Sequence, residues 1–206
     1  MRLLYQTHSP YARKVLVMAH EVGLASRLDV VHYETSPTRR NDLVYALNPL
    51  GKVPVLVTED GFCLFDSIVI CEYLDGLHDG ERMIPASGIA RWQALRLQAL
   101  AQGLADAGIA LRLEIERRPE ALRWAELGEG QRAKLLAGYD FLEREAPLDG
   151  PLDIGQIALA TTLSWRAFRG LPGFAEGRPK LARWYDRFSA RPSMLATPLA
   201  GETQDR

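Results

Sequence analysis

The first 23 residues change their hydrophobic period abruptly, and this change constrains the fold more than any other feature. Residues 1–5 form a compact apolar segment, whereas from Pro10 the apolar residues recur at the i, i+3, i+4, i+7 spacing of a buried helix face. Ser9 is a good N-cap because its hydroxyl can accept from first-turn N–H groups, and Pro10 suits the next position. Gly23 fits the position just past the helix end. The sequence therefore predicts a strand running into a helix, with Ser9 at the positive helix end, where an anion is favoured.

In two later segments, residues that could have a special role stand directly before an apolar strand or helix. Residues 48–54, Asn-Pro-Leu-Gly-Lys-Val-Pro, place a proline at the head of an apolar strand. Pro54 suits an edge strand, where a missing donor is harmless, or a cis bond that turns the N–H and C=O of Val53 outward for an extended peptide. Asp66 and Ser67 precede an apolar helix, and by residue type alone they are helix caps.

The second half of the chain predicts helices only. From residue 87 onward there is no convincing strand, and helix-forming residues dominate over residues 91–116, 127–145, 153–168 and 180–190. Asp153 is the expected N-cap of the third of these helices, and Gln156 can reach back toward it. We expect the tail after Pro192 to be loosely held.

Together, the Ser-Pro-Tyr that opens the first helix, the segment 48–54 and the Asp-Ser pair resemble the glutathione transferases, specifically the bacterial ones with a serine in the active position. The resemblance covers nearly the whole chain. It implies an α/β N-terminal thioredoxin-like domain plus an all-α C-terminal domain. We expect a glutathione-binding domain over residues 1–78, a linker over 79–88 and the helical domain over 89–206.

The resemblance also implies a role for each residue of these motifs. The Ser9 hydroxyl would donate to the glutathione sulfur, and the backbone of Val53, before a cis-Pro54, would pair with the cysteinyl residue. The Ser67 hydroxyl and N–H would take the γ-glutamyl carboxylate, with Asp66 near its ammonium group. Glutathione is then a co-substrate, and no metal is implied.

Several assignments leave alternatives open. Lys52 could pair with the glycyl carboxylate or be a solvated loop lysine. Tyr5, Thr7 and His8 are rival hydrogen-bond donors near the same turn, and Tyr5 ranks second to Ser9, although packing is its more typical role. An electrophile pocket is expected between the two domains, although helical spacing favours core packing for its two aromatic members. The candidates are Asp106, Ile109, Trp165 and Phe168.

Composition excludes several classes of function. Lys and Arg number 25 against 26 Asp and Glu, a net charge of −1, so nothing indicates nucleic acid or an anionic membrane as a partner. No apolar run approaches the roughly 18 residues of a membrane-spanning helix, and no secretory signal is present, which predicts a cytoplasmic protein. Two cysteines and four histidines form no metal-ligand or disulfide spacing.

The predicted function is conjugation of the glutathione thiolate to hydrophobic electrophiles, a detoxification reaction. Residues 9–12, Ser-Pro-Tyr-Ala, stand where glutaredoxin-like proteins carry Cys-Pro-Tyr-Cys, so a protein-thiol redox cycle through this motif is excluded. The alternatives are glutathione-dependent peroxidase, dehalogenase or isomerase reactions, or a non-catalytic glutathione-binding regulatory protein. The resemblance further implies a homodimer.

Overall fold

The computed structural model describes residues 1–203, and its internal contacts divide the chain into two compact units. The first unit joins Met1–Ala86 to residues 192–203, and the second is Ser87–Arg191. The first holds a four-stranded sheet with helices and the second is helical, which confirms the predicted fold class. The predicted helical domain ran to residue 206, whereas the segment from Pro192 packs with the first unit.

The sheet of the first unit is mixed, with the order β2-β1-β3-β4. Its strands are β1 (Arg2–Tyr5), β2 (Asp29–His32), β3 (Val55–Val57) and β4 (Cys63–Leu64). β1 runs parallel to β2 and antiparallel to β3, and β3 runs antiparallel to β4. Because β1 is flanked on both sides, Leu3 and Leu4 are buried in the core.

The described part of the chain contains eight α-helices. They are α1 (Pro10–Glu21), α2 (Asp42–Leu47), α3 (Ser67–Asp75), α4 (Gly88–Arg112), α5 (Ala125–Glu145), α6 (Ile154–Phe168), α7 (Pro179–Ser189) and α8 (Pro192–Leu195). α1 packs against α3 and α8, and it buries Val15, Met18 and Ala19 on the predicted face. Gly23 has φ +73°, a left-handed conformation that ends the first helix as expected.

The helical unit is built around α6, which packs along α4. Gly155 permits this approach, because a Cβ there would lie 2.6 Å from the carbonyl oxygen of Ala94. Asp153 caps α6 as predicted, since its Oδ1 accepts from the backbone N–H of Gln156 at 2.9 Å. The side chain of Gln156 reaches back, and its Nε2 donates to the carbonyl oxygen of Pro151 at 2.9 Å.

The tail expected to be loosely held is instead fastened to the first unit, as far as the structure describes it. Nη2 of Arg13 donates to the carbonyl oxygen of Met194 at 3.0 Å, and the N–H of Ala200 donates to that of Thr7 at 3.1 Å. The sequence does not reveal these hydrogen bonds, because the partners of the tail, Arg13 and Thr7, lie near the start of the sequence. Residues 204–206 lie outside the described residues.

None of the helices in residues 1–203 is both long and apolar enough to cross a bilayer.

Candidate functional site

Ser9 caps α1 in the predicted position. Its Oγ accepts from the backbone N–H of Ala12 at 3.2 Å, and its carbonyl oxygen accepts from the N–H of Arg13 at 3.1 Å. The residue is 7% exposed. A hydroxyl that accepts from Ala12 still has its own proton to donate. Ser9 can therefore cap the helix and act as a hydrogen-bond donor at the same time.

The turn before Ser9 is held from several sides. The N–H of Ser9 donates to the carbonyl oxygen of Gln6 at 3.1 Å, and Nε2 of Gln6 donates to that of Thr35 at 2.8 Å. Tyr5, the rival thiol activator, packs its ring edge-on against His32 with the centroids 5.8 Å apart. This is the packing role that the sequence favoured for Tyr5.

The turn at residues 48–54 is fixed by two side chains. Nδ2 of Asn48 donates to the carbonyl oxygen of Lys52 at 2.9 Å, and Oγ1 of Thr35 donates to that of Gly51 at 2.9 Å. Gly51 has φ +62°, and its Cα lies against the ring of Tyr45, so a larger residue would not fit. Lys52 itself is exposed.

The Val53–Pro54 peptide bond is cis, and β3 begins only at Val55. Within residues 1–203, neither the N–H nor the C=O of Val53 takes part in a hydrogen bond. An unpaired backbone donor and acceptor on one residue is what an extended peptide needs in order to add as a strand.

Of the two candidate caps of α3, Asp66 makes the capping hydrogen bond and the hydroxyl of Ser67 does not. Asp66 is the N-cap of α3, and its Oδ1 accepts from the backbone N–H of Ile68 at 2.9 Å. Ser67 is fully buried, and among the described residues its Oγ has no hydrogen-bond partner. Buried hydroxyls normally have a partner. The peptide bond between Phe65 and Asp66 is also cis.

The strand register places three turns at one end of the sheet: the turn before Ser9, the turn at residues 48–54 and the turn at residues 65–67. Leu4 pairs with Val55, and Leu56 pairs with Leu64. The end of β1, the start of β3 and the end of β4 are therefore at the same sheet edge, because neighbouring strands in this set are antiparallel. The chain enters α1 and α3 from that edge, so two helix N-termini lie there, and both favour an anion.

The four residues predicted to line an electrophile pocket are all in the helical unit. Trp165 is buried, with its ring packed against Gly108 of α4, which agrees with the core-packing alternative. Ile109 is half-buried, whereas Asp106 and Phe168 are exposed. The predicted pocket between the domains stays a prediction.

A cavity of about 260 Å³ lies elsewhere in the helical unit, where α4 ends and α5 begins. A π-helical turn, Leu113–Arg117, forms part of its wall. None of the four predicted residues lines it. The lining residues are Leu111, Glu114, Ile115, Arg123, Trp124, Ala125, Gly128 and Glu129.

Residues 1–203 contain no group of three or more His, Cys, Asp or Glu side chains placed to hold a metal ion.

A thioredoxin-like unit followed by a helical unit is the architecture of the glutathione transferases. The family model for the glutathione S-transferase N-terminal domain matches residues 8–77, and the model for the C-terminal domain matches residues 98–187. The chain belongs to the glutathione S-transferase family.

Individual relatives agree with this assignment. The chain is 32% identical over 203 residues to the uncharacterized GST-like protein YibF of Escherichia coli, covering 96% of this chain and 98% of YibF. A crystal structure of a glutathione transferase family member from Pseudomonas fluorescens Pf-5 with bound glutathione has a TM-score of 0.93 and 38% identity, covering 97% of this chain and 99% of that one. A second structure of a family member from that strain, with bound S-(propanoic acid)-glutathione, has a TM-score of 0.89 and 39% identity, covering 98% and 100%.

Proposed function

We propose that this protein is a serine-type glutathione transferase, which ionises the thiol of glutathione and conjugates it to hydrophobic electrophiles. The observation that carries the proposal is the hydrogen bonding of Ser9. Its oxygen accepts from Ala12, so its proton is available to a thiolate at the positive end of α1.

Polar groups on four residues of the first unit suit successive parts of glutathione. The unpartnered Oγ of Ser67 at the start of α3 suits the γ-glutamyl carboxylate, and Asp66 suits the neighbouring ammonium group. The free N–H and C=O of Val53, before cis-Pro54, suit the cysteinyl backbone. Exposed Lys52 suits the glycyl carboxylate.

The energy required of Ser9 is modest. A free thiol has a pKa of about 8.5, so only a few per cent of it is thiolate at neutral pH. Lowering that pKa by one unit corresponds to about 1.4 kcal/mol, which one charge-assisted hydrogen bond and a helix N-terminus can supply.

The relatives support thiol chemistry at this site. One Pseudomonas structure holds glutathione, and the other holds glutathione carrying a propanoic acid group on sulfur, a thioether of the kind that conjugation forms. For this chain we keep Asp106, Ile109, Trp165 and Phe168 as the proposed contacts of the electrophile. A cytoplasmic location and a role in detoxification also stay proposals.

The experiment is an ultraviolet titration of the thiolate absorbance of glutathione bound to the protein. We expect a midpoint at least one unit below that of free glutathione in the wild-type protein, and a return toward about 8.5 in Ser9→Ala. Ser87→Ala is the matched control, because Ser87 is the exposed N-cap position of α4 and its side chain makes no capping hydrogen bond.

The other outcomes separate the alternatives. If Ser9→Ala binds glutathione with an unchanged midpoint, Ser9 is not the activator, and Tyr5→Phe becomes the variant to titrate. If the wild-type protein binds glutathione without lowering its pKa, the protein is a binding or regulatory member of the family.

We also propose that the protein is a homodimer, with the first unit of one subunit packed on the helical unit of the other. Each unit exposes large apolar side chains: Phe62 is 64% exposed in the first, and Trp92 is 65% exposed in the second. Apolar side chains this exposed and this large suit a protein interface.

Light scattering should show a dimer for the wild-type protein and a monomer for Phe62→Glu. A wild-type monomer at micromolar concentration would contradict this proposal.

A further inference from the structure

The end of the described chain crosses α1 and reaches the turn that carries Ser9. We call residues 192–201 the C-terminal strap. Oγ of Ser193 donates to Oε1 of Glu21 at 2.5 Å near the end of α1, and the N–H of Ala200 donates to the carbonyl oxygen of Thr7 at 3.1 Å near its start. The strap therefore contacts both ends of the same helix.

Arg13 holds the middle of the strap. Its Nη2 donates to the carbonyl oxygen of Met194 at 3.0 Å, and its Nε donates to Oγ1 of Thr197 at 3.4 Å. Thr197 in turn donates from Oγ1 to the carbonyl oxygen of Ser193 at 2.8 Å. Arg13 is buried, so these hydrogen bonds are shielded from water and stronger for it.

The strap comes very close to the residues just before Ser9. Besides the hydrogen bond between Ala200 and Thr7, Gly201 lies beside the same turn, since a Cβ on it would be 3.4 Å from Oγ1 of Thr7. Gly201 has φ +79°, a conformation that glycine adopts without strain.

We propose that Arg13 is a positioning residue for Ser9 and that it acts through the strap; this inference rests on the proposed transferase function. The backbone N–H of Arg13 fixes the carbonyl of Ser9, while its side chain holds the strap that fixes the carbonyl of Thr7. The turn is therefore held on both sides of the serine. A hydrogen bond to a thiolate weakens steeply when its angle is poor, so a loose turn would lower the thiolate fraction.

The test compares full-length variants that remove single contacts. Ala200→Pro removes the N–H that binds Thr7, and Ala200→Ser keeps it as the matched control. Arg13→Met removes the two donors that hold the strap while keeping a long apolar stem. Hydrogen–deuterium exchange at Ser9 and Ala12, followed by NMR without glutathione, reports the turn itself. The thiolate titration and the dissociation constant of glutathione report the site.

We expect exchange at Ser9 and Ala12 to be about tenfold faster in Ala200→Pro and Arg13→Met, and unchanged in Ala200→Ser. The thiol pKa should rise by about half a unit, a roughly threefold loss of thiolate, while the dissociation constant of glutathione changes less than about threefold.

Wild-type exchange rates in both variants would overturn the inference, whatever the thiol does. Faster exchange with an unchanged thiol pKa would also overturn it, because the strap would then serve the fold only. If the wild-type protein does not lower the thiol pKa at all, the transferase function fails separately, and the exchange rates alone decide whether Arg13 and the strap hold the turn.

Discussion

Gly108 of α4 lies directly against the guanidinium group of Arg166 of α6. A Cβ at position 108 would touch Nη1 of Arg166 and lie 2.9 Å from Cζ3 of Trp165. Arg166 is buried, and burial lowers the pKa of its guanidinium from the ordinary value. The close approach of α4 and α6 at this point therefore depends on the absence of a side chain at position 108.

Gly108→Ala should destabilise the protein by about 1–3 kcal/mol, because the methyl group forces Arg166 or Trp165 out of place. Gly103→Ala is the matched control in the same helix: nothing lies within 4 Å of its Cβ position. It should stabilise by about 0.5–1 kcal/mol, since alanine is the better helix residue. Urea denaturation measures both. Equal effects of the two substitutions would contradict the packing at Gly108.

Ser67→Ala should weaken glutathione binding without weakening the fold. The Oγ of Ser67 is buried without a partner among the described residues, so removing it leaves the free energy of unfolding unchanged or higher by up to about 1 kcal/mol. Loss of a hydrogen bond to a carboxylate should raise the dissociation constant about tenfold or more. Calorimetric binding and thermal unfolding provide the two measurements, with Ser87→Ala as control. Unchanged binding would remove Ser67 from the proposed site.

Cys71 should be unreactive in the folded protein. Burial raises the pKa of the Cys71 thiol to about 11, so at about pH 8 roughly one thiol in a thousand is ionised. Cys63 is only half-buried. We expect a thiol reagent to modify one cysteine in the native protein and two after unfolding. Cys63→Ser should abolish the native reaction, and a residual equivalent in that variant would show that Cys71 is accessible.

Ionisation of Asp153 should cost stability at neutral pH, although the residue stabilises α6 as its N-cap. Burial raises the pKa of its carboxyl, so the folded state disfavours the ionised form. The penalty is present above the folded-state pKa and disappears as the pH falls to the ordinary carboxyl range. Asp153→Asn keeps an equivalent cap and should be as stable or more stable at about pH 7, with the advantage fading on acidification. Asp153→Ala, the capless control, should lose about 1 kcal/mol. An advantage that grows on acidification would refute this.

The sequence predicted those features that are set by neighbouring residues. The cap at Ser9, the left-handed Gly23 and the cap at Asp153 each depend on one side chain and a backbone segment a few residues long. The helix spans followed from apolar periodicity in the same way. The three motifs that carried the family resemblance are also local, and the family assignment is confirmed.

What the sequence missed depends on contacts between distant residues. Arg13 and Met194 are 181 positions apart, so no periodicity links them. Thr35 holds the carbonyl of Gly51 across 16 residues, and Thr35 follows a strand without any motif of its own. The strap was expected to be loose because the last residues of a domain are poorly ordered unless tertiary contacts fix them. Its order comes from tertiary packing alone.

The strap makes two segments that lie far apart in the sequence, residues 1–86 and 192–201, parts of one compact unit. During vectorial synthesis the first 86 residues leave the ribosome long before Pro192 does, with the whole helical unit made in between. The nascent first unit lacks the donor that Ala200 provides to Thr7 until residue 200 has been synthesised. The hydrogen bonds that hold the serine turn are therefore complete only after the whole helical unit has been synthesised.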